Sequence, residues 1–139
     1  LISSYTVSAY IDWSPDGHTI AYQDWDGGLS LIDTSGTNVR KLVEGAGLMF
    51  DPVFSLDGKR IVFAMKKDES KDYEIYVINT DGTGLKKLVT GRYPTWSPDG
   101  SKIAFVKFSY WGKYEEGNSQ LWVMDSNGAN QRQLTFVRK

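Results

Sequence analysis

Trp13-Ser14-Pro15-Asp16-Gly17 returns as Phe54-Ser55-Leu56-Asp57-Gly58 and again as Trp96-Ser97-Pro98-Asp99-Gly100, at spacings of 41 and 42 residues. Each copy leads into an apolar run with strand character: Thr19-Ile20-Ala21-Tyr22, Arg60-Ile61-Val62-Phe63 and Lys102-Ile103-Ala104-Phe105. A second shared element follows, Leu31-Ile32-Asp33-Thr34-Ser35-Gly36, Val77-Ile78-Asn79-Thr80-Asp81-Gly82 and Val123-Met124-Asp125-Ser126-Asn127-Gly128. A basic stretch ending in Leu42, Leu88 and Leu134 closes each copy. Three correlated units at a period near 42 residues are the signature of a repeat architecture, and they govern how every other residue is read.

Turn chemistry divides each unit into strands. Pro presets φ at the second position of a tight turn, Asp caps it, and Gly supplies the left-handed residue that lets the chain return as a hairpin. Leu56 in place of Pro gives up preorganisation of about 0.5–1 kcal/mol without forbidding the turn. The segments 33–36, 79–82 and 125–128 repeat this logic, so each unit holds two hairpins and four short antiparallel strands. That is the size and content of one propeller blade. The expected fold class is all-β, with three four-stranded antiparallel blades: residues 1–8 an orphan outer strand, 9–50 blade 1, 51–92 blade 2 and 93–139 blade 3. Trp13, Phe54 and Trp96 recur at the period of the fold and are read as core. Lys86-Lys87 and Arg40-Lys41 fall on the outermost strands, where positive charge discourages edge-to-edge pairing.

The Trp-Ser-Pro-Asp-Gly turn, the Ile-Ala-Tyr or Ile-Ala-Phe strand, the Val-x-Asp-x-x-Gly element and the closing Leu134-Thr135 together resemble the repeats of TolB-like β-propellers over about residues 9–135. The resemblance implies an envelope protein whose propeller binds partner proteins in the bacterial periplasm, or an extracellular location. Blades similar to these also form the gating domain of prolyl-oligopeptidase-type peptidases and the scaffold of some oligogalacturonate lyases. The peptidase reading needs a catalytic domain with Gly-x-Ser-x-Gly, a motif these 139 residues do not contain.

Composition bounds the remaining possibilities. Lys and Arg number 16 against 17 Asp and Glu, for a net charge of -1, so no global field draws in phosphate backbones, and nucleic acid is not an expected partner. No apolar run reaches the roughly 20 residues of a membrane-spanning helix. Zero cysteines exclude disulfides, thiolate metal sites and cysteine nucleophiles. His18 is the single histidine and follows a turn glycine, so a Ser-His-Asp arrangement has no base near the loops. Asp24-Trp25-Asp26-Gly27 reads as an Asx turn, because it lacks the further oxygen ligands of a calcium loop. The mixed-sign stretch Lys66–Asp72 reads as a solvated hairpin tip. No catalytic residue, metal or cofactor is expected.

Meander topology gives the blades two unequal faces. The tight turns share one face, while the links between strands two and three vary in length: Gln23–Gly28, Lys66–Glu74 and Lys107–Gln120. Links between blades share that second face. A rigid scaffold with variable loops on one side is where binding is usually found. Its aromatic and basic residues, Trp25, Arg92, Tyr93, Phe108, Tyr110, Trp111 and Tyr114, are the expected ligand-binding group, suited to a peptide or a sugar ring. The expected function is therefore a non-enzymatic module for protein or peptide binding, with glycan binding or a propeller portion of an enzyme as alternatives.

Three blades cannot close a ring, since propellers close with about 4–8. The outer faces of the first and third units need cover, either from a second copy forming a six-bladed ring or from further blades of a longer chain.

Overall fold

The structure, a computed structural model, describes residues 10–45, 47–67, 72–108 and 119–136. Among these there is no helix. The first blade holds β1 (Ile11–Trp13), β2 (Thr19–Gln23), β3 (Leu29–Asp33) and β4 (Arg40–Val43). The second holds β5 (Gly47–Phe54), β6 (Arg60–Lys67), β7 (Glu74–Asn79) and β8 (Lys86–Thr90). The third holds β9 (Arg92–Trp96), β10 (Lys102–Phe108), β11 (Ser119–Asp125) and β12 (Arg132–Gln133). Each sheet is an antiparallel meander in chain order, as the paired hairpins of every repeat require.

The Ser-x-Asp-Gly turns have one construction repeated three times. The serine hydroxyl donates to the aspartate two residues on, at 2.6 Å for Ser14–Asp16, 2.7 Å for Ser55–Asp57 and 2.6 Å for Ser97–Asp99. The same hydroxyl accepts the amide that opens the next strand, from Thr19, Arg60 and Lys102. The aspartate in turn accepts the amide of His18, Lys59 or Ser101. These bonds hold all three carboxyls below the usual carboxylate range, Asp99 at about 2. Gly17, Gly58 and Gly100 each take φ between 70° and 74°, which the turn demands and side chains resist. Leu56 sits exposed on its turn, and the serine–aspartate bonds form there as in the two copies with proline.

Blades stack through two apolar layers. Ala21, Leu29, Leu31 and Val43 of the first blade pack on Ile61, Phe63, Tyr76 and Ile78 of the second. Val62, Ile75 and Val89 of the second pack on Ile103, Phe105 and Met124 of the third, with Trp96 and Trp122 closing the edge. Each joint thus sets a mainly aliphatic face against a face that carries aromatic rings.

The three repeating aromatics do not share one environment. Phe54 is 7% exposed, Trp96 is half-buried with its indole N–H on the Val53 carbonyl at 3.0 Å, and Trp13 is 54% exposed. The expectation of a core role fails for Trp13 because this position packs on the preceding blade, and among the described residues no sheet precedes the first.

Candidate functional site

The two faces of the stack differ as the meander demands. On one, the turn after each third strand rests on the turn after the first: the amides of Thr34, Thr80 and Ser126 donate to the carbonyls of His18, Lys59 and Ser101. His18 belongs to this face and is exposed. On the other lie the links from second to third strands and the links between blades, and the sites of interest lie there.

Close approach on this loop face explains its glycines. A Cβ on Gly91 would stand 2.8 Å from the Phe105 ring and 2.9 Å from the Val106 carbonyl, so only glycine carries the chain from β8 into β9 at this distance. Immediately after it, the inner strand of the third blade begins with Arg92 and Tyr93. Tyr93 has φ 54° and Asp51, three residues before Phe54 as Tyr93 is before Trp96, has φ 53°. The register slips beside both, between Phe50 and Val53 and between Ala104 and Val106. Left-handed backbone at a bulky residue costs about 1–3 kcal/mol and re-aims the side chain, a feature that gathers at binding sites.

Arg92 is the hub. Its guanidinium lies 4.6 Å from the Phe50 ring, 4.5 Å from Tyr73 and 4.8 Å from Tyr93. It donates to the Tyr10 hydroxyl at 3.3 Å, and its Nε is 3.4 Å from Asp51 Oδ2. Tyr10 stands edge-on to Phe50, and Phe50 edge-on to Tyr73, at 5.1 and 5.4 Å. Residues of all three blades therefore meet on one cation. Burial raises the Asp51 carboxyl above its usual range while Arg92 opposes that rise.

Outside this cage, Tyr93 is 50% and Phe108 39% exposed, edge-on to each other at 6.4 Å. Phe108 ends β10 and forms, with Asp72, Tyr73, Thr90, Gly91 and Lys107, the lining of a cleft of about 170 Å³ between the second and third blades. The Lys107 ammonium lies 4.2 Å from the Trp122 ring and donates to Gln131 Oε1 at 3.1 Å. Burial lowers its pKa. An aromatic wall and a partly buried ammonium beside a closely packed glycine are suited to holding a peptide side chain.

Of the residues singled out in the sequence, Arg92, Tyr93 and Phe108 are brought together. Trp25 is exposed on the β2–β3 turn of the first blade, on the same face but in a different blade. Tyr110, Trp111 and Tyr114 lie outside the described residues. Sequence reasoning missed Tyr10, Phe50, Asp51 and Tyr73. Repeat alignment carried a signal for two of these: Tyr10, Asp51 and Tyr93 all stand three residues before the recurring aromatic. Nothing local marks Tyr73.

The Asp24–Gly28 turn is closed by protein groups. The Gly28 amide donates to both Asp24 and Asp26, Ser30 donates to Asp24, and Lys41 pairs with Asp24, Asp26 and Glu44. The interactions with Asp24 and Lys41 bring Asp26 down to about 2, and the bond to Asp26 lifts Lys41 to about 12. Among the described residues, no three His, Cys, Asp or Glu side chains are grouped to hold a metal. No helix among them is long and apolar enough to cross a membrane.

Comparison with known proteins adds an independent line. The family described as the TolB beta propeller domain matches residues 1–139. A TolB homolog of Chlorobium luteolum is 29% identical over 131 residues, covering 90% of this chain and 28% of that protein. The Tol-Pal system protein TolB of Francisella tularensis subsp. mediasiatica is 32% identical over 79 residues, covering 55% of this chain and 18% of the relative. The chain therefore spans under a third of the length of either relative. The solved putative TolB of Agrobacterium tumefaciens superposes with a TM-score of 0.72 at 21% identity, over 94% of this chain and 49% of that one. An acylaminoacyl peptidase of Pyrococcus horikoshii superposes with a TM-score of 0.71 at 14% identity, over 94% of this chain and 25% of its own. At those identities the likeness is one of fold.

Proposed function

The chain belongs to the TolB beta propeller domain family, and on that premise we propose that it is a non-enzymatic binding module whose loop face docks a protein or peptide. One observation carries the reading: the strained inner-strand start at Tyr93 turns its ring toward Phe108 at the mouth of the cleft between the second and third blades. A fold that holds a bulky residue at φ 54° beside an exposed ring spends stability on surface, as binding sites do. Tyr73 and Phe108 form the apolar walls, and Lys107 offers charge to a carboxylate of the ligand. Trp25 extends the same face. The Francisella relative is named as a Tol-Pal system protein, which supports a protein partner for this chain, and the resemblance to TolB-like propellers supports a periplasmic location. Binding to a panel of peptides and envelope proteins, measured by calorimetry, tests the reading. Phe108→Ala and Tyr93→Ala each weaken binding about 30-fold, roughly 2 kcal/mol for an aromatic anchor. Affinity unchanged in the double variant removes this cleft from the site.

The peptidase likeness supports a second reading, a propeller attached to a catalytic domain. In that case the same loop face meets peptide on its way to a catalytic centre outside these residues. Hydrolysis of peptide substrates by the parent protein separates the two.

A further inference from the structure

Six steps in the sequence place glycine directly after aspartate or asparagine, and five of them carry aspartate: Asp16-Gly17, Asp26-Gly27, Asp57-Gly58, Asp81-Gly82 and Asp99-Gly100. The sixth is Asn127-Gly128. Such a step is the setting for self-modification, because glycine has no Cβ to keep its backbone nitrogen from the side-chain carbonyl carbon before it. The fold treats the six differently. Asp16, Asp57, Asp81 and Asp99 each accept a hydroxyl and an amide of their own turn, and Asp26 accepts the Gly28 amide and pairs with Lys41. These bonds hold all five carboxyls below the usual carboxylate range. An ionised carboxylate repels a nucleophile and offers it a poor leaving group, so these five steps are protected at neutral pH.

Asn127 holds the place of Ser35 in the first blade and of Asp81 in the second. Its side chain is a neutral amide whose oxygen accepts the Ala129 amide at 2.9 Å, so a donor already stands where negative charge gathers when the amide carbon is attacked. Across the joint, the Lys86 ammonium donates to the Asn127 main-chain carbonyl at 3.0 Å. That oxygen shares a peptide unit with the Gly128 nitrogen, and it takes up the charge left when the nitrogen loses its proton. A cation beside it favours that loss. One bond opposes the step, from the Gly128 N–H to the Asp125 carbonyl at 2.9 Å. Asn127 is exposed, as are Ser35 and Asp81. Asp81 belongs to the blade packed on both sides, so openness at this position does not depend on what adjoins the third blade.

We propose that Asn127 is a site of spontaneous deamidation, in which the Gly128 nitrogen bonds to the Asn127 side-chain carbon and Lys86 of the neighbouring blade promotes the step. The bond from that carbon to the side-chain nitrogen breaks, and ammonia leaves with the proton given up by Gly128, relayed through solvent. Water then opens the cyclic imide at either carbonyl, giving aspartate or isoaspartate at position 127. Both products add one negative charge, and isoaspartate also lengthens the main chain by one carbon. A Cβ on Gly128 would stand 3.3 Å from the Leu88 side chain and 3.4 Å from its carbonyl oxygen, so the joint has little slack for that carbon. Modification therefore loosens the contact between the second and third blades. The inference does not rest on the binding role of the loop face.

Storage of the 139-residue chain in mildly alkaline buffer at body temperature, followed by peptide mass mapping, tests it. The expected result is a gain of one mass unit at Asn127, with isoaspartate resolved by chromatography and the five aspartate–glycine steps unchanged. Lys86→Met slows the gain about threefold, and Lys86→Arg restores it. In urea the parent and Lys86→Met react at equal rates, because the ammonium acts only through the folded joint. Asn127→Ser, which installs the residue of the first blade, retains its circular dichroism and gains no mass at this position. Stored parent protein melts at a lower temperature than fresh protein, and stored Asn127→Ser does not. A native chain unchanged at Asn127 while the urea-unfolded chain reacts overturns the proposal, since the turn then shields the residue. Equal native rates for the parent and Lys86→Met, or faster change at an aspartate–glycine step, overturn it equally.

Discussion

The second blade and its two neighbours have the same strands and almost the same residues, yet they differ in what a given position is worth. Ile75 and Val62 are wholly buried in the second blade, whereas Leu121 is 40% exposed at the matching place in the third. Phe54 is nearly buried, and Trp13 at the same repeat position is more than half exposed. The sequence of one blade fixes its hairpins, and a neighbour on each side turns those hairpins into a core. Stability in such an array is nearest-neighbour in character, with intrinsic terms for each sheet and separate terms for each joint.

The sharpest way to break this contrast is to cut equivalent side chains in the middle and at the edge. Ile75→Ala is expected to lower unfolding free energy by about 2–5 kcal/mol through lost burial and a cavity. Leu121→Ala, read in urea denaturation of the same chain, is expected to cost under about 1 kcal/mol, since partly exposed surface leaves no cavity. Equal losses would show that the joints do not dominate.

A smaller effect is expected at Arg92, which ties all three blades together. Arg92→Met keeps the length of the side chain but removes the cation, leaving Asp51 without its partner. The expected cost is about 2 kcal/mol at pH 7. Because burial raises the Asp51 carboxyl, its proton is held more tightly folded than unfolded. The protonated form is therefore the stabilised one, and this contribution fades as pH rises above the ordinary value of about 3.8. Removing Arg92 extends that fading to higher pH, measurable as a steeper fall of melting temperature as pH rises above the ordinary carboxylate value.

Indole hydrogen bonding refines the comparison further. Trp96→Phe loses the bond to the Val53 carbonyl and is expected to cost about 1 kcal/mol in denaturant titration. Trp13→Phe in the 139-residue chain is expected to be neutral, because Trp13 is more than half exposed and no sheet among the described residues precedes it.

The smallest effect is one in which all three blades should behave alike. Asp16, Asp57 and Asp99 have lowered pKa values from the serine and amide bonds of their turns. Their stabilising contributions are complete above the unfolded value of about 3.8 and are lost as pH falls toward the folded value, about 2 for Asp99. Each of Asp16→Asn, Asp57→Asn and Asp99→Asn is expected to flatten the acid limb of melting temperature to a similar small degree. A far larger change for Asp57 would show that the turn itself senses its place in the stack.

Most of the fold was legible because its determinants are local. Ser14, Asp16 and Gly17 interact within the turn they form, and their recurrence at 55, 57, 58 and at 97, 99, 100 reports the same turn each time. Uninterrupted apolar residues in 61–64 and 75–78 report strands that are covered on both sides. The candidate site was less legible. Phe108, Tyr93 and Arg92 were marked by their place on the variable face, but Arg92 faces inward to Tyr10, Phe50 and Tyr73, and no spacing in the sequence announces that meeting.

The chain alone therefore determined the strands, the turns, the number of blades and the side on which variation gathers, since these follow from φ preferences and side-chain bonds spanning a few residues. Only the tertiary structure decided that Trp13 is bare where Phe54 is buried and that one guanidinium joins three sheets. The physical reason is that burial is a property of pairs of surfaces: a residue writes its own backbone preference, and its neighbour across the joint decides whether water is removed.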